Sequence, residues 1–258
     1  MRLINGSGVE KRINVLLAVT AALTIIFGGL AYYFRDAEHD TAQTGDFMLP
    51  LCEYIDIEIL RLDVDIIPYD GNNIRVVYKN ELPLELRLGD NKLIIKESEE
   101  FVISLFAGSE AEFGLTVYLP EETYREITVY TGGGNVSMHG TECGKITVVT
   151  GSGDILVENN RSLVNLVTGS GDISLDFAEV VQDSSVQTRS GNAEILLPKD
   201  SSVSLEFETD TGECVTELFK GNVYGSYTYS FNGGKRGIFA SLESGTLTIA
   251  ERDGEQEN

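Results

Sequence analysis

The chain has 258 residues, 42% of them hydrophobic and only five of them proline, which is enough apolar content to bury a core and too much for a disordered polymer. Its 41 acidic side chains against 19 basic ones leave a net charge of −22. That balance excludes nucleic acid as a partner and gives the molecule a solvated acidic exterior.

The first feature in chain order is the stretch INVLLAVTAALTIIFGGLAYYF, Ile13 to Phe34, which carries no charged residue. At about 1.5 Å per residue a helix of this length reaches about 30 Å, the thickness of a bilayer's hydrocarbon core. A transmembrane helix is therefore predicted over residues 13–34, with membrane lipid as its partner and Tyr32 and Tyr33 at the headgroup level. Arg2, Lys11 and Arg12 precede it, while Asp36, Glu38 and Asp40 follow. This asymmetry puts the tail 1–12 in the cytoplasm and everything after the helix outside the cell, a single-pass arrangement in the cell membrane. The segment ends in Ala31-Tyr32-Tyr33-Phe34, which lacks the small-residue pattern of a cleaved signal peptide.

Residues 35–50 are small, polar and aperiodic and read as an extracellular linker. A β domain is expected over 51–250. Its first half has strand-like runs at Tyr54–Leu60, Val64–Ile67, Ile74–Tyr78, Leu93–Lys96, Phe101–Phe106 and Leu115–Leu119, separated by turn formers such as Asp70-Gly71-Asn72-Asn73, but shows no evident repeat.

The second half, 127–250, repeats a six-residue unit, Thr-Gly-Ser-Gly-Asp-Ile. It stands at Thr150–Ile155 and Thr168–Ile173, and in altered form from Thr131, Thr188, Thr209 and Leu242. The threonines at 131, 150, 168, 188 and 209 set successive steps of 19, 18, 20 and 21 residues, and the last copy comes 33 residues later. Apolar residues flank each unit at alternate positions, as in Ile127 and Val129 before the first and Val136 and Met138 after it. Each unit is then two short strands joined by a turn, and one copy cannot bury its apolar side alone. The predicted fold is all-β: a right-handed parallel β-helix or β-roll-like solenoid with coils of about 18–21 residues, preceded by the one N-terminal transmembrane helix.

The 33-residue interval holds Tyr224, Tyr227, Tyr229 and Phe231 between Lys220-Gly221-Asn222 and Asn232-Gly233-Gly234, and reads as a hairpin inserted between coils. Residues 251–258 form a frayed tail.

The fourth position of the unit is glycine in every copy: Gly134, Gly153, Gly171, Gly191, Gly212 and Gly245. A structural turn with φ > 0 is the expectation, because a phosphate loop would need a following helix and a Lys-Ser/Thr pair. Next comes Asn135, Asp154, Asp172, Asn192 or Glu213. Asp154 and Asp172 would lie one rung apart, where two carboxylates repel unless a cation or hydrogen-bond donors intervene, so these two are the candidate calcium ligands. Turn capping is the plainer role for them.

Cys52, Cys143 and Cys214 make an odd count, and the last two should lie several rungs apart, so no disulfide framework is indicated. The two histidines, His39 and His139, build no catalytic set, and no zinc spacing is present. No catalytic residues and no cofactor are expected.

With Leu62–Ile67 followed by Asp70–Val76, with Leu115–Pro120, and with the glycine units, the chain from about Tyr54 to Ile249 resembles the putative-adhesin family of bacterial surface proteins. That family is a domain of unknown function built of repeated β-strands. The resemblance implies a β-solenoid, often tethered to the membrane in Gram-positive bacteria and linked to surface or envelope-stress roles. It implies no catalytic residues, and residues 1–12 are too short for the intracellular module that some relatives carry. The expectation is a membrane-anchored, non-enzymatic module at the cell surface whose partner is a cell-wall polymer or another envelope protein. A signalling or scaffolding ectodomain is the alternative, and a polysaccharide-active enzyme a third reading.

Overall fold

The computed structural model describes residues 41–42, 45–79, 84–97, 114–216 and 223–252. The predicted anchor, the tail 1–12, half of the linker, the Phe101–Phe106 strand and residues 253–258 lie outside them. Among the described residues no helix is long and apolar enough to cross a membrane.

Two short strands, β1 (Thr41–Ala42) and β2 (Gly45–Leu49), precede the first coil, β3 (Tyr54–Ile59) with β4 (Asp63–Tyr69). Then come β5 (Ile74–Lys79), β6 (Leu84–Gly89) and a second coil, β7 (Lys92–Glu97) with β8 (Gly114–Pro120). Four coils follow in sequence: β9 (Tyr124–Thr131) with β10 (Val136–His139), β11 (Cys143–Thr150) with β12 (Ile155–Asn160), β13 (Leu163–Thr168) with β14 (Ile173–Phe177), and β15 (Ser184–Ser190) with β16 (Ala193–Leu197). The chain ends in β17 (Val203–Thr209) with β18 (Glu213–Thr216), the short β19 (Val223–Tyr224) and β20 (Tyr227–Ser230), and β21 (Arg236–Ser244) with β22 (Thr246–Glu251).

The first strand of every coil joins one sheet and the second joins the other. Alternation decides which face is buried: β3 and β13 each read half-buried, buried, half-buried along their length. Parallel pairing turns the inward positions into columns. One runs Ile95, Ile57, Val129, Val148, Leu166, Val186, Ala240, Phe207 across the first sheet. Its counterpart runs Leu115, Val64, Val136, Ile155, Ile173, Ala193, Leu247, Cys214 across the second. All sixteen are buried and belong to a single apolar core.

The stack departs from sequence order at both ends. The last copy, β21–β22, inserts between the fourth, β15–β16, and the fifth, β17–β18, which becomes the outermost coil. The aromatic segment is thus not a self-paired hairpin. β19 pairs antiparallel with β18, and β20 with β17, so each closes one sheet edge before the chain turns back inside to β21. The physical reason is edge protection: an outermost parallel coil leaves two rows of unpaired backbone groups, and these two strands cover them. At the other end β6 and β1 extend one sheet beyond β7, and β5 and β2 extend the other beyond β8.

Three boundaries also shift. β2 pairs with β5 within the stretch read as linker, Phe47 packs on Tyr78, and Asp46 forms an ion pair with Arg75, so the fold begins before residue 51. Glu251 belongs to β22, and Arg252 pairs with Asp176, so the tail begins later than residue 251. The first half also contains the repeat. β3 and β4 stack in register on β9 and β10, with Ile59-Leu60-Arg61-Leu62-Asp63-Val64 where the next coil has Thr131 to Val136. Only the aspartate of the unit survives there, which hides the copy from inspection.

Candidate functional site

The turns that join the two sheets stack into a regular column. In three of the units the threonine hydroxyl accepts the N–H of the fourth-position glycine, at 3.0 Å from Gly134 to Thr131, 2.9 Å from Gly153 to Thr150 and 2.7 Å from Gly212 to Thr209. Threonine hydroxyls also donate to a glycine carbonyl of the preceding coil, Thr168 to Gly153 at 3.0 Å, Thr188 to Gly171 at 3.1 Å and Thr150, which also accepts, to Gly134 at 3.4 Å. At Thr150 both capacities of a buried hydroxyl are thereby used.

The fourth-position glycines are required for a different reason than the one expected. Only Gly245 has a positive φ, of 117°; the other five do not. A Cβ at any of the six would instead come within 3.0 Å of a backbone carbonyl in the adjacent coil, as for Gly153 against Gly134 and Gly171 against Gly153. Close approach of stacked turns, not left-handed backbone, excludes a side chain.

Outside this column runs a second one. The side chain of each Asx residue accepts the backbone N–H of its neighbour: Asp63 from Asn135 at 2.7 Å, Asn135 from Asp154 at 2.9 Å, Asp154 from Asp172 at 2.8 Å, Asp172 from Asn192 at 2.7 Å, and Asn192 from Thr246 at 3.0 Å. Asp154 and Asp172 do lie one rung apart, and the donor between them is a backbone amide. Among the described residues no group of three or more His, Cys, Asp or Glu side chains is placed to hold a metal ion.

Beside this ladder the outer face of the second sheet forms an open groove of about 640 Å³. Five carboxylates line it, those of Asp63, Asp65, Asp154, Asp172 and Glu194, with no lysine or arginine among the lining residues. Small side chains, Ser137 and Ser174, form its floor alongside Leu156. The arrangement concentrates negative potential over a strip of regularly spaced hydrogen-bonding groups, which suits a cationic or polyhydroxylated ligand.

Ser137, which lines the groove, is linked to two further residues that sequence reading did not join to it. Ser137 Oγ lies 2.9 Å from His139 Nε2, and His139 Nδ1 lies 2.6 Å from Glu158 Oε2. Ser137 and His139 sit two apart on β10 and so share a face, while the parallel register places Glu158 directly opposite His139. The 19-residue step that relates the copies carried this signal, because it relates 139 to 158 as it relates 131 to 150.

The cysteines are free and buried. Cys143 is followed by Lys145, whose carbonyl accepts its thiol at 3.1 Å, and burial pushes that thiol up to about 11. Burial also raises Cys52 and Cys214, and Cys214 meets the Tyr227 hydroxyl at 3.0 Å. These thiols stay protonated near neutrality and act as core side chains. His39 lies outside the described residues.

A family model described as Toastrack DUF4097 matches residues 52–159 and again 137–250. No curated protein matches the sequence. Among solved structures, a putative cell adhesion protein from Clostridium sporogenes is similar at 14% identity, with 83% of this chain and 100% of that chain covered and a TM-score of 0.49. A putative adhesin from Bacteroides fragilis gives 12%, 84%, 98% and 0.40, and a putative lipid binding protein from Parabacteroides distasonis gives 12%, 84%, 98% and 0.35.

Proposed function

The chain belongs to the Toastrack DUF4097 family, and from that premise we propose that it is a cell-surface binding module whose work is to hold a ligand. The reading places the anchor Ile13–Phe34 in the cell membrane, residues 1–12 in the cytoplasm and the stacked coils outside, facing cell-wall polymer or another envelope protein. What supports it is the groove: five carboxylates and a ladder of Asx side chains, fixed in register by the stack, face outward along an open strip of about 640 Å³. A ligand that repeats along its length gains from such a strip, because each rung offers the same contact again.

The test uses the full-length protein in detergent micelles, incubated with isolated cell-wall fractions and with partner cells. Retention that weakens with salt is expected, and a further loss of about tenfold when Asp65→Asn and Glu194→Gln are combined. No retention by any wall fraction or cell would overturn the reading. Protease added to intact cells should digest the coils and spare residues 1–12; digestion of that tail instead would reverse the orientation.

A further inference from the structure

Holding a ligand requires no chemistry, yet Ser137 of the groove's lining is joined to side chains arranged for it. We propose that Ser137, His139 and Glu158 form an acyl-transfer relay, with Ser137 as a nucleophile toward activated carboxylic esters that carry a cationic group.

The geometry fixes the roles. A carboxylate only accepts, so Glu158 Oε2, 2.6 Å from His139 Nδ1, draws the ring proton to Nδ1 and leaves Nε2 bare. Nε2 then accepts the Ser137 hydroxyl at 2.9 Å. Nucleophile, base and orienting carboxylate are thus joined in the sequence of contacts that activates a serine, through the two different ring nitrogens that the role demands. Chance proximity of a serine and a histidine would not also place an acceptor on the far side of the ring.

In the step, Ser137 Oγ bonds to the ester carbonyl carbon while its proton passes to His139 Nε2. The bond from that carbon to the leaving oxygen or sulfur breaks, and the same proton leaves with the departing alcohol or thiol. Water, deprotonated by His139, then attacks the acyl-serine, returning the proton to Ser137 and releasing the carboxylic acid. Glu158 is a positioning residue throughout.

The neighbours of Ser137 set the substrate class. Across the ladder Asp65 is its register partner on β4 and Leu156 its partner on β12, both facing outward into the groove. A carboxylate on one side and an apolar side chain on the other suit an ester whose cationic end lies over Asp65 and whose acyl chain lies over Leu156. β10 pairs with a neighbour on each side at Ser137, which commits its amides to the ladder. The rate therefore rests on nucleophile and base, and a good leaving group is needed.

The experiment incubates the full-length protein in detergent with p-nitrophenyl acetate, acetylthiocholine and the neutral thioester S-butyl thioacetate. It follows product release and the mass of the peptide bearing Ser137. Expected are one acetyl group on Ser137, loss of turnover in Ser137→Ala with unchanged melting, and a preference for acetylthiocholine over the neutral thioester that Asp65→Asn removes. Glu158→Gln should lower kcat by about 100-fold with KM unchanged, and Glu158→Asp should restore part of it. Turnover that survives Ser137→Ala, or acetyl found on His139 or a lysine instead, would overturn the proposal. These small probes report on the relay whether or not wall material is retained, so its failure and that of the binding reading are separate outcomes.

Discussion

Gly153 lies directly against Gly134 of the neighbouring coil, so close that a Cβ on Gly153 would fall within 3.0 Å of the Gly134 carbonyl. The contact recurs along the stack, where Gly171 meets Gly153 and Gly191 meets Gly171 in the same way. The turn column thus leaves no room for a Cβ at these positions.

Gly153→Ala should therefore destabilise the protein by about 2–3 kcal/mol, since the Gly134 and Asn135 backbone that the new methyl meets is held in the stack. Gly133 is the control. It sits in the turn of the adjacent coil, one position before Gly134, is exposed, and a Cβ there meets only the Ser152 hydroxyl, at 3.3 Å. Gly133→Ala should be near neutral in a urea melt, and an equal loss in both variants would refute the account.

The threonines make a second, independent contribution. Thr150 accepts from Gly153 and Thr168 donates to Gly153, so replacing either by the isosteric valine strands buried polar backbone groups. A cost of about 1–3 kcal/mol is expected for Thr168→Val, read as a drop in Tm with the sheet signal retained. The column itself offers a natural comparison. Leu242 has no hydroxyl, and its glycine, Gly245, is the one fourth-position glycine with a positive φ. Where the hydroxyl is missing the turn takes another shape. A Thr168→Val variant as stable as the wild type would mean that the hydroxyls merely decorate the turn.

How much of this was legible beforehand follows from what each residue does. The inward columns were readable because burial selects apolar residues at alternate positions, and the periodicity of Ile127, Ile146 and Val164 survives every other change. The stacking order was not, because β15–β16 offers the same parallel edge to β17–β18 as to β21–β22, and only the end caps decide between them. The coil at Ile59–Val64 was hidden for a related reason. Its turn keeps only the aspartate of the unit, and buried Leu62 stands where the later coils have glycine. Ser137 and Glu158 escaped notice because polar residues on an outer face are ordinary, and their link to His139 depends on register rather than on a local motif.

Glu97 supplies a pH-dependent prediction. Its Oε2 accepts the Leu60 N–H at 2.7 Å, while its Oε1 is buried with no hydrogen-bond partner among the described residues. Burial raises its carboxyl above the usual glutamate value, against the lowering effect of the Leu60 and Arg61 amides. A raised carboxyl binds its proton more tightly folded than unfolded, so its contribution favours folding at low pH and is lost as pH rises through the folded value. Glu97→Gln should gain on the wild type in Tm as pH is raised from about 4 to about 8, with no gain at the acid end. A difference that does not change over that range would show that burial of this carboxyl costs nothing.

The far end of the stack is closed by contact between Phe207 and Tyr227, whose rings meet edge to face with centroids 5.8 Å apart. Phe207 ends an inward column, and β20 is the strand that covers the open edge of β17. Tyr227→Ala should remove that cover, costing about 2 kcal/mol of packing and exposing both an aromatic ring and a row of backbone donors and acceptors. The phenolic hydroxyl reaches Cys214, so Tyr227→Phe separates the two contributions: it keeps the ring over Phe207 and loses the hydroxyl's contact with Cys214. Tm should fall markedly for Tyr227→Ala and little for Tyr227→Phe, with concentration-dependent aggregation in the alanine variant alone. Aggregation of both, or of neither, would mean that the aromatic cover is not what keeps the last coil from pairing with another molecule.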